Sequence, residues 1–147
     1  MKVKFLFPVT LLALLAGCDD EEKIASVQGS WQGTKAEGEV LVFGVPSGFE
    51  EEDNSFNPIL EFKPGGVVTL TQNSVPAQGT WSQDGEKLTT SLDFNTEFVS
   101  LNGDYTIQTL TETKLVLYFE REGTYEDPDT GIEIEGTLKA TLYFDKK

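Results

Sequence analysis

Two residue types that carry much of enzyme chemistry are scarce in this chain. Its 147 residues include no histidine and a single cysteine, Cys18. Histidine is the commonest general base, and together with cysteine it supplies most transition-metal ligands and many activated nucleophiles. The composition therefore excludes Ser-His-Asp catalysis, Cys-His catalysis and histidine-ligated zinc sites.

Carboxylates are abundant instead, with 25 Asp and Glu against 11 Lys and Arg and a formal net charge of −14. No two of them are distinguished by spacing as an acid and base pair, and no glycine-rich phosphate loop is present. We therefore expect no enzyme and no cofactor. Because so acidic a protein repels phosphate backbones, we expect no nucleic-acid partner either.

One acidic turn has the oxygen-rich composition of a calcium site. Asp127, Asp129 and Glu133 lie around Gly131, and a second acidic cluster spans Glu50 to Asp53. Hard cations prefer such oxygen ligands, but the first group lacks the full ligand series and contains a proline. We expect an acidic hairpin with no metal there, and calcium is the alternative.

The N-terminus has the composition of an export signal. Lys2 and Lys4 precede an apolar run over 5–16, which is about a dozen residues against the roughly 20 that a membrane-spanning helix needs. This architecture predicts a signal peptide over 1–17 that is removed after export.

The end of this segment, Leu15-Ala16-Gly17-Cys18, resembles the lipobox of bacterial lipoproteins. The resemblance implies that Cys18 is acylated and that a lipid anchor alone holds residues 18–28, an acidic tether, at a membrane. The run 19–22 resembles the acidic export signal of the Bacteroidota, which implies the outer membrane and its outer face. The alternative is inner-membrane retention, which an aspartate directly after the cysteine specifies in enteric bacteria.

From Gly29 onward, the chain alternates apolar and polar residues between turn-forming segments. This period is typical of strands buried on one face, and no amphipathic helix of useful length is apparent. The predicted strands are 30–36, 39–45, 58–63, 67–73, 77–83, 87–94, 98–109, 114–121 and 132–144.

Short links between successive strands favour an all-β antiparallel up-and-down β-barrel of about eight strands. Closure into a barrel hides the apolar face and removes exposed edges, whereas a two-sheet sandwich is the alternative. The long acidic connection over 46–57 is predicted to be a mobile surface loop.

Several segments together resemble a known family. Gly29-Ser30-Trp31 and Gly79-Thr80-Trp81, the turn over 62–66, and the segment 105–111 before 115–117 occur in the order found in small lipocalin-like lipoproteins of the Bacteroidota. The resemblance covers 29–147. The chain departs from animal lipocalins in lacking disulfides and in having one arginine, Arg121, with no clear arginine over the first tryptophan.

The resemblance implies that a small apolar or amphipathic molecule binds in the barrel or at its mouth. Alternatively, the same side chains fill the barrel, with both tryptophans as core residues. The candidate ligand-binding residues are Trp31, Trp81, Phe94, Ile107, Leu117, Phe119, Leu138 and Leu142.

A filled barrel leads to a second hypothesis, in which loops 46–57 and 122–131 bind a protein or glycan at the cell envelope. Phe49 and Phe56 lie in an otherwise acidic segment, and exposed aromatic residues are common anchors of interfaces.

Overall fold

The computed structural model describes residues 25–92, 101–126 and 130–147, which form nine antiparallel β-strands. Their alternating apolar residues point to one shared interior, as the period of two requires. The strands are β1 (Gly29–Val42), β2 (Val45–Asp53), β3 (Ile59–Lys63), β4 (Val67–Gln72), β5 (Val75–Asp84), β6 (Lys87–Leu92), β7 (Gly103–Leu110), β8 (Lys114–Glu126) and β9 (Glu133–Lys146).

The sheet closes on itself. From β3 to β9, each strand pairs with the next one in sequence, β3 also pairs with β1, and β9 returns to pair with β1 from Trp31↔Lys146 to Leu41↔Thr137. Eight strands, β1 and β3–β9, make the barrel, while β2 extends the sheet beside the second half of β1. The predicted eight-stranded up-and-down barrel is therefore confirmed over the sandwich.

The up-and-down order gives the barrel two different ends. The start of β1, the turns β3–β4, β5–β6 and β7–β8, and the end of β9 lie at one end, called here the closed end. The turns β1–β2, β4–β5 and β8–β9 lie at the other, called the open end.

The first two predicted strands, 30–36 and 39–45, are wrong as separate elements, because β1 runs without a break over Gly29–Val42. The intervening residues are paired on both sides: Glu37 and Gly38 with Thr141 and Ala140 of β9, and with Glu52 and Glu51 of β2. Pairing on two edges holds a segment of low strand propensity in extended conformation.

The predicted loop over 46–57 is also wrong for most of its length, because Val45–Asp53 is strand β2. Phe43 and Gly44 have positive φ angles of 52° and 78°, which is the backbone of a two-residue hairpin turn. The chain therefore reverses at Phe43 and pairs its acidic residues along β1.

Strands β7 and β8 differ in their bounds from the predicted strands 98–109 and 114–121. β7 begins at Gly103, so Leu101 and Asn102 precede it, and β8 continues to Glu126, through half of the predicted loop 122–131. Pairing with β9 from Gly123↔Gly136 to Glu126↔Glu133 extends the hairpin. Residues 93–100 and 127–129 lie outside the described chain.

The interior near the closed end is tightly filled. Leu142 and Phe144 are buried as predicted, and Leu138 packs against the buried cluster. The predicted strand 132–144 begins one residue too early, because Ile132 precedes β9 and is 60% exposed although it shares the parity of Leu142 and Phe144. Large fully buried side chains include Trp31, Phe62, Leu70, Leu88, Leu115 and Leu142.

Candidate functional site

A floor of packed side chains covers the closed end. Val27 is fully buried there, although the sequence places it in the tether. Its amide donates to Gln83 Oε1 over 3.0 Å, and its carbonyl accepts from Trp31 Nε1 over 2.7 Å. Gln83 Nε2 also donates to the carbonyl of Ala25 over 3.1 Å. The segment before β1 is thus held across the base of the barrel.

The tryptophan of the first Gly-x-Trp segment carries a cation on its ring. The ammonium of Lys146 lies 4.3 Å from the centroid of Trp31 and donates to the carbonyl of Gln28 over 3.2 Å. A lysine at the end of β9 therefore supplies the cation–π contact for which the sequence offered no arginine.

The two tryptophans are not equivalent. Trp31 is fully buried, whereas Trp81 is half-buried and packs edge-on against Phe62 with ring centroids 5.5 Å apart. Trp81 Nε1 donates to the carbonyl of Lys63 over 3.0 Å, and its ring borders a groove of about 340 Å³ at the closed end. Trp31 lies near the start of β1 and Trp81 near the end of β5, so both are closer to the closed end than to the open end.

Four of the other candidate ligand-binding residues fill the barrel. Ile107, Leu117, Phe119 and Leu142 belong to the buried core cluster, with exposures from 0% to 6%. Side chains so covered leave little room for a guest beside them in this conformation. Phe94 lies outside the described residues.

On β1 and β9, the inner side chains become smaller or more exposed toward the open end. The register pairs Ala36 with Leu142, Gly38 with Ala140 and Val40 with Leu138, so all six share the inner face. Small residues therefore replace large ones on β1 and β9 above the filled layers. Val40, Leu138 and, further out, Ile134 are only half-buried, which leaves apolar surface at the mouth.

Arg121 stands on this inner wall, opposite Leu138 in the pairing of β8 with β9. Its guanidinium carbon lies 4.3 Å from the Phe119 ring centroid and 5.3 Å from that of Tyr105. Burial raises the pKa of Tyr105, while the neighbouring guanidinium opposes that shift. The sequence did contain the signal, because Arg121 has the parity of Leu115, Leu117 and Phe119.

Charged side chains concentrate on the outer face of the tall wall formed by β1, β2, β8 and β9. Lys35 forms ion pairs with Glu37 and Glu52, and Tyr143 donates to Glu37 over 2.7 Å. The hydrogen bonds from Lys35 and Tyr143 lower the pKa of the Glu37 carboxyl. This network is solvent-exposed, so it contributes little to stability.

A second outer pair gives a pH-dependent signal. The Tyr118 hydroxyl donates to Glu120, and desolvation followed by this carboxylate raises the pKa of Tyr118 from 10.0 to about 12. A raised folded-state pKa stabilises the fold fully below about pH 10, and this contribution is lost as the pH rises toward 12.

We expect Glu120→Gln to lower the pKa of Tyr118, because the variant removes the adjacent negative charge. Phenolate absorbance followed during an alkaline titration measures this shift, with Tyr118→Phe identifying the transition. Glu122→Gln, on the same strand and exposed, is the matched control. An identical titration of the Glu120→Gln variant and the parent would contradict the assignment.

Only part of the candidate calcium site lies within the described residues. Asp127 and Asp129 lie outside the described residues, and Glu133 is exposed at the start of β9. Within residues 25–92, 101–126 and 130–147, no three His, Cys, Asp or Glu side chains are grouped as metal ligands. The same ranges contain no helix with the length and hydropathy of a membrane span.

Comparison with known proteins supports the same fold. The family model described as a lipocalin-like domain matches residues 27–117. No curated protein matches. Similarity to solved structures is low: a crystal structure of a multidomain protein including DUF1735 from Bacteroides ovatus is 12% identical with a TM-score of 0.35, over 82% of this chain and 56% of that one. From the family match and the closed antiparallel barrel, we conclude that the chain belongs to the lipocalin-like domain family.

Proposed function

We propose that this protein is a membrane-anchored, non-enzymatic lipocalin-like lipoprotein that binds a small apolar or amphipathic molecule at the mouth of its barrel. The observation that carries the proposal is the change along the inner wall. Large buried side chains fill the barrel from the closed end up to Leu92 and Leu101, beside the open-end termini of β6 and β7. Beyond them, half-buried Val40, Ile134 and Leu138 leave apolar surface on the inner face of the tall strands β1 and β9.

The anchor rests on the N-terminal sequence. Residues 1–17 have signal-peptide composition, and Cys18 follows the lipobox-like Leu15-Ala16-Gly17. Two or more acyl chains on one residue hold a protein stably at a membrane without any spanning segment. The acidic run 19–22 favours the outer membrane and its outer face.

The mouth suits a guest with one apolar part and one polar part. Val40 and Leu138 offer aliphatic contact, while Arg121 provides the positive charge nearest to them on the inner face. The guanidinium is held over two aromatic rings, so its position is fixed by packing. An amphipathic anion with its apolar part toward Leu138 matches this arrangement.

A fluorescent probe tests the proposal. We expect anilinonaphthalenesulfonate to bind protein lacking residues 1–18 with saturable enhancement of its fluorescence. A Cβ at Gly38 would lie 3.6 Å from both Leu138 Cδ1 and the Lys139 carbonyl oxygen, which is ordinary contact, so Gly38→Leu adds a side chain at the mouth without a clash of its Cβ. This variant should weaken binding about tenfold, equivalent to about 1.4 kcal/mol of lost contact.

The matched control is Thr141→Leu, which places the same side chain on the outer face of β9. Both variants must unfold at the denaturant concentration of the parent. Absence of saturable binding in the parent, or equal binding by the Gly38 and Thr141 variants, would exclude a site at the mouth.

A second candidate function, an interaction module, is favoured by a specific surface. Phe43 is 100% exposed at the β1–β2 turn, with Val45 beside it and Ile132 on the adjacent β8–β9 hairpin. Exposed aromatic residues are common interface anchors. Phe49 and Phe56 were the anchors predicted from the sequence. Phe56 lies in the core, and nothing is described of the Phe49 side chain, so this candidate rests on Phe43, Val45 and Ile132 instead.

This candidate predicts contact at the open end in living cells. A photo-crosslinking residue at position 43 should form an envelope adduct that the same residue at position 112, in the exposed β7–β8 turn, does not form. Equal adducts at both positions would exclude a dedicated surface around Phe43.

A further inference from the structure

The chain enters the barrel at its closed end and is fixed there. Val27 is buried beneath the floor, and Gln83 hydrogen-bonds to both the Val27 amide and the Ala25 carbonyl. Any anchor that precedes Ala25 must therefore pull on the closed end of the barrel.

The connection from Cys18 to this point is short. Seven residues, 19–25, span at most about 25 Å even when fully extended. The walls are longer: β9 has 14 residues, and at ~3.3 Å per residue and a tilt of ~40° it rises about 35 Å along the barrel axis. A barrel standing on its open end would place Ala25 beyond the reach of an anchored Cys18.

The two ends of the barrel also differ in charge. The closed end carries Lys63, Lys87, Lys114, Lys146 and Lys147 against six carboxylates, counting Asp104, whose carboxylate pairs with Lys87 over 2.9 Å. The rest of the described chain carries eleven carboxylates and only three cations, Lys35, Arg121 and Lys139. Nearly all of the net negative charge of the described residues therefore lies on the tall wall and around the mouth.

An anionic bilayer repels these two regions to different extents. Surface potentials act over about one Debye length, ~8 Å at physiological ionic strength, so only the nearest part of the protein is affected. The nearly neutral closed end approaches at little cost, whereas a barrel lying on its β1–β2–β8–β9 wall would bring the acidic network against the lipid phosphates.

We propose that the closed end is the membrane-facing surface of this protein and that an anionic lipid bilayer is its partner, with the mouth and Phe43 pointing into the aqueous phase. This inference rests on the proposed acylation of Cys18. It implies that a guest reaches the mouth from the aqueous side and not laterally from the bilayer.

The test uses the acylated full chain, in which native Cys18 is blocked, so that an introduced cysteine is the only free thiol. Glu112→Cys places a donor dye in the exposed β7–β8 turn at the closed end, and Phe43→Cys places it at the open end. Each protein is reconstituted into phosphatidylglycerol–phosphatidylethanolamine vesicles with acceptor-labelled headgroups. We expect energy transfer severalfold stronger from position 112 than from position 43.

Cys18→Ser separates the two proposals. If the parent floats with the vesicles and Cys18→Ser does not, equal transfer from the two positions, or stronger transfer from position 43, overturns the orientation alone. If the parent floats no better than Cys18→Ser, the anchor is absent, and the orientation is lost with the lipoprotein proposal. Unfolding curves that match the parent show that neither label site disturbs the fold.

Discussion

Trp31→Ala should lower the free energy of unfolding by about 4 kcal/mol, the range found when a buried tryptophan is truncated. The ring is fully buried, and the substitution also removes the hydrogen-bond donor of the Val27 carbonyl and the ring beneath Lys146. A buried carbonyl left without its donor adds its own desolvation cost. Denaturant unfolding followed by circular dichroism gives the value.

Trp81→Ala is the matched control, since it removes the same side chain from a half-buried position. We expect a loss of about 1 kcal/mol, because part of that ring is already exposed to water. Equal losses for the two variants would contradict the different burial of the two rings, and a loss below about 1 kcal/mol for Trp31→Ala would remove Trp31 from the core.

Phe56→Ala should cost about 3 kcal/mol, whereas Phe43→Ala should change stability by less than about 0.5 kcal/mol. Phe56 is 6% exposed and meets Phe144 edge-on with centroids 5.6 Å apart, while Phe43 is fully exposed. The pair therefore compares one side chain in two environments. Midpoints and slopes of urea unfolding for both variants measure the difference.

A larger loss of stability for Phe43→Ala than for Phe56→Ala would contradict the placement of Phe56 in the core and of Phe43 on the surface. Phe56 and Pro58 together account for Gly33, because a Cβ at residue 33 would lie 2.7 Å from Pro58 Cδ and 2.8 Å from the Phe56 ring. The cost of Gly33→Ala should therefore shrink only in part in a Phe56→Ala background, because the contact with Pro58 remains.

The alternation of residues along β8 and β9 was enough to predict the barrel. Leu115 and Leu117 on one strand and Leu142 and Phe144 on the other have the period of two that a one-sided strand requires, and they are inside. Local turn chemistry also placed the β3–β4 and β5–β6 reversals correctly. Both signals are contained within a few neighbouring residues.

The errors arose where distant partners decide the structure. The acidic composition of 50–53 predicts a loop, yet pairing with β1 makes it a strand, which only a turn at Phe43-Gly44 permits. Phe56 sits among polar residues in sequence, and its burial depends on Gly33 and Phe144, which are far away along the chain. Period and composition do not report such contacts.

At the mouth, the sequence named Leu138 but not Arg121. The predicted strand 114–121 already ends at Arg121, and continuing the parity of Leu115, Leu117 and Phe119 would have placed the arginine on the inner face, where it pairs with Leu138. The exposure of Val40 and Leu138 could not be predicted, because it depends on where the two tall hairpins extend above the shorter strands.

The pairing of β1 with β9 also has a kinetic consequence. Trp31 pairs with Lys146 near the end of β9, and the β1–β9 pairing as a whole joins residues about a hundred positions apart. One edge of β1 pairs with β2 and β3, and the other edge stays unpaired until β9 is available. Pairing between strands so distant in sequence forms slowly. If the chain is exported N-terminus first, as the signal-peptide composition of residues 1–17 predicts, its barrel can close only after β9 has also crossed the membrane.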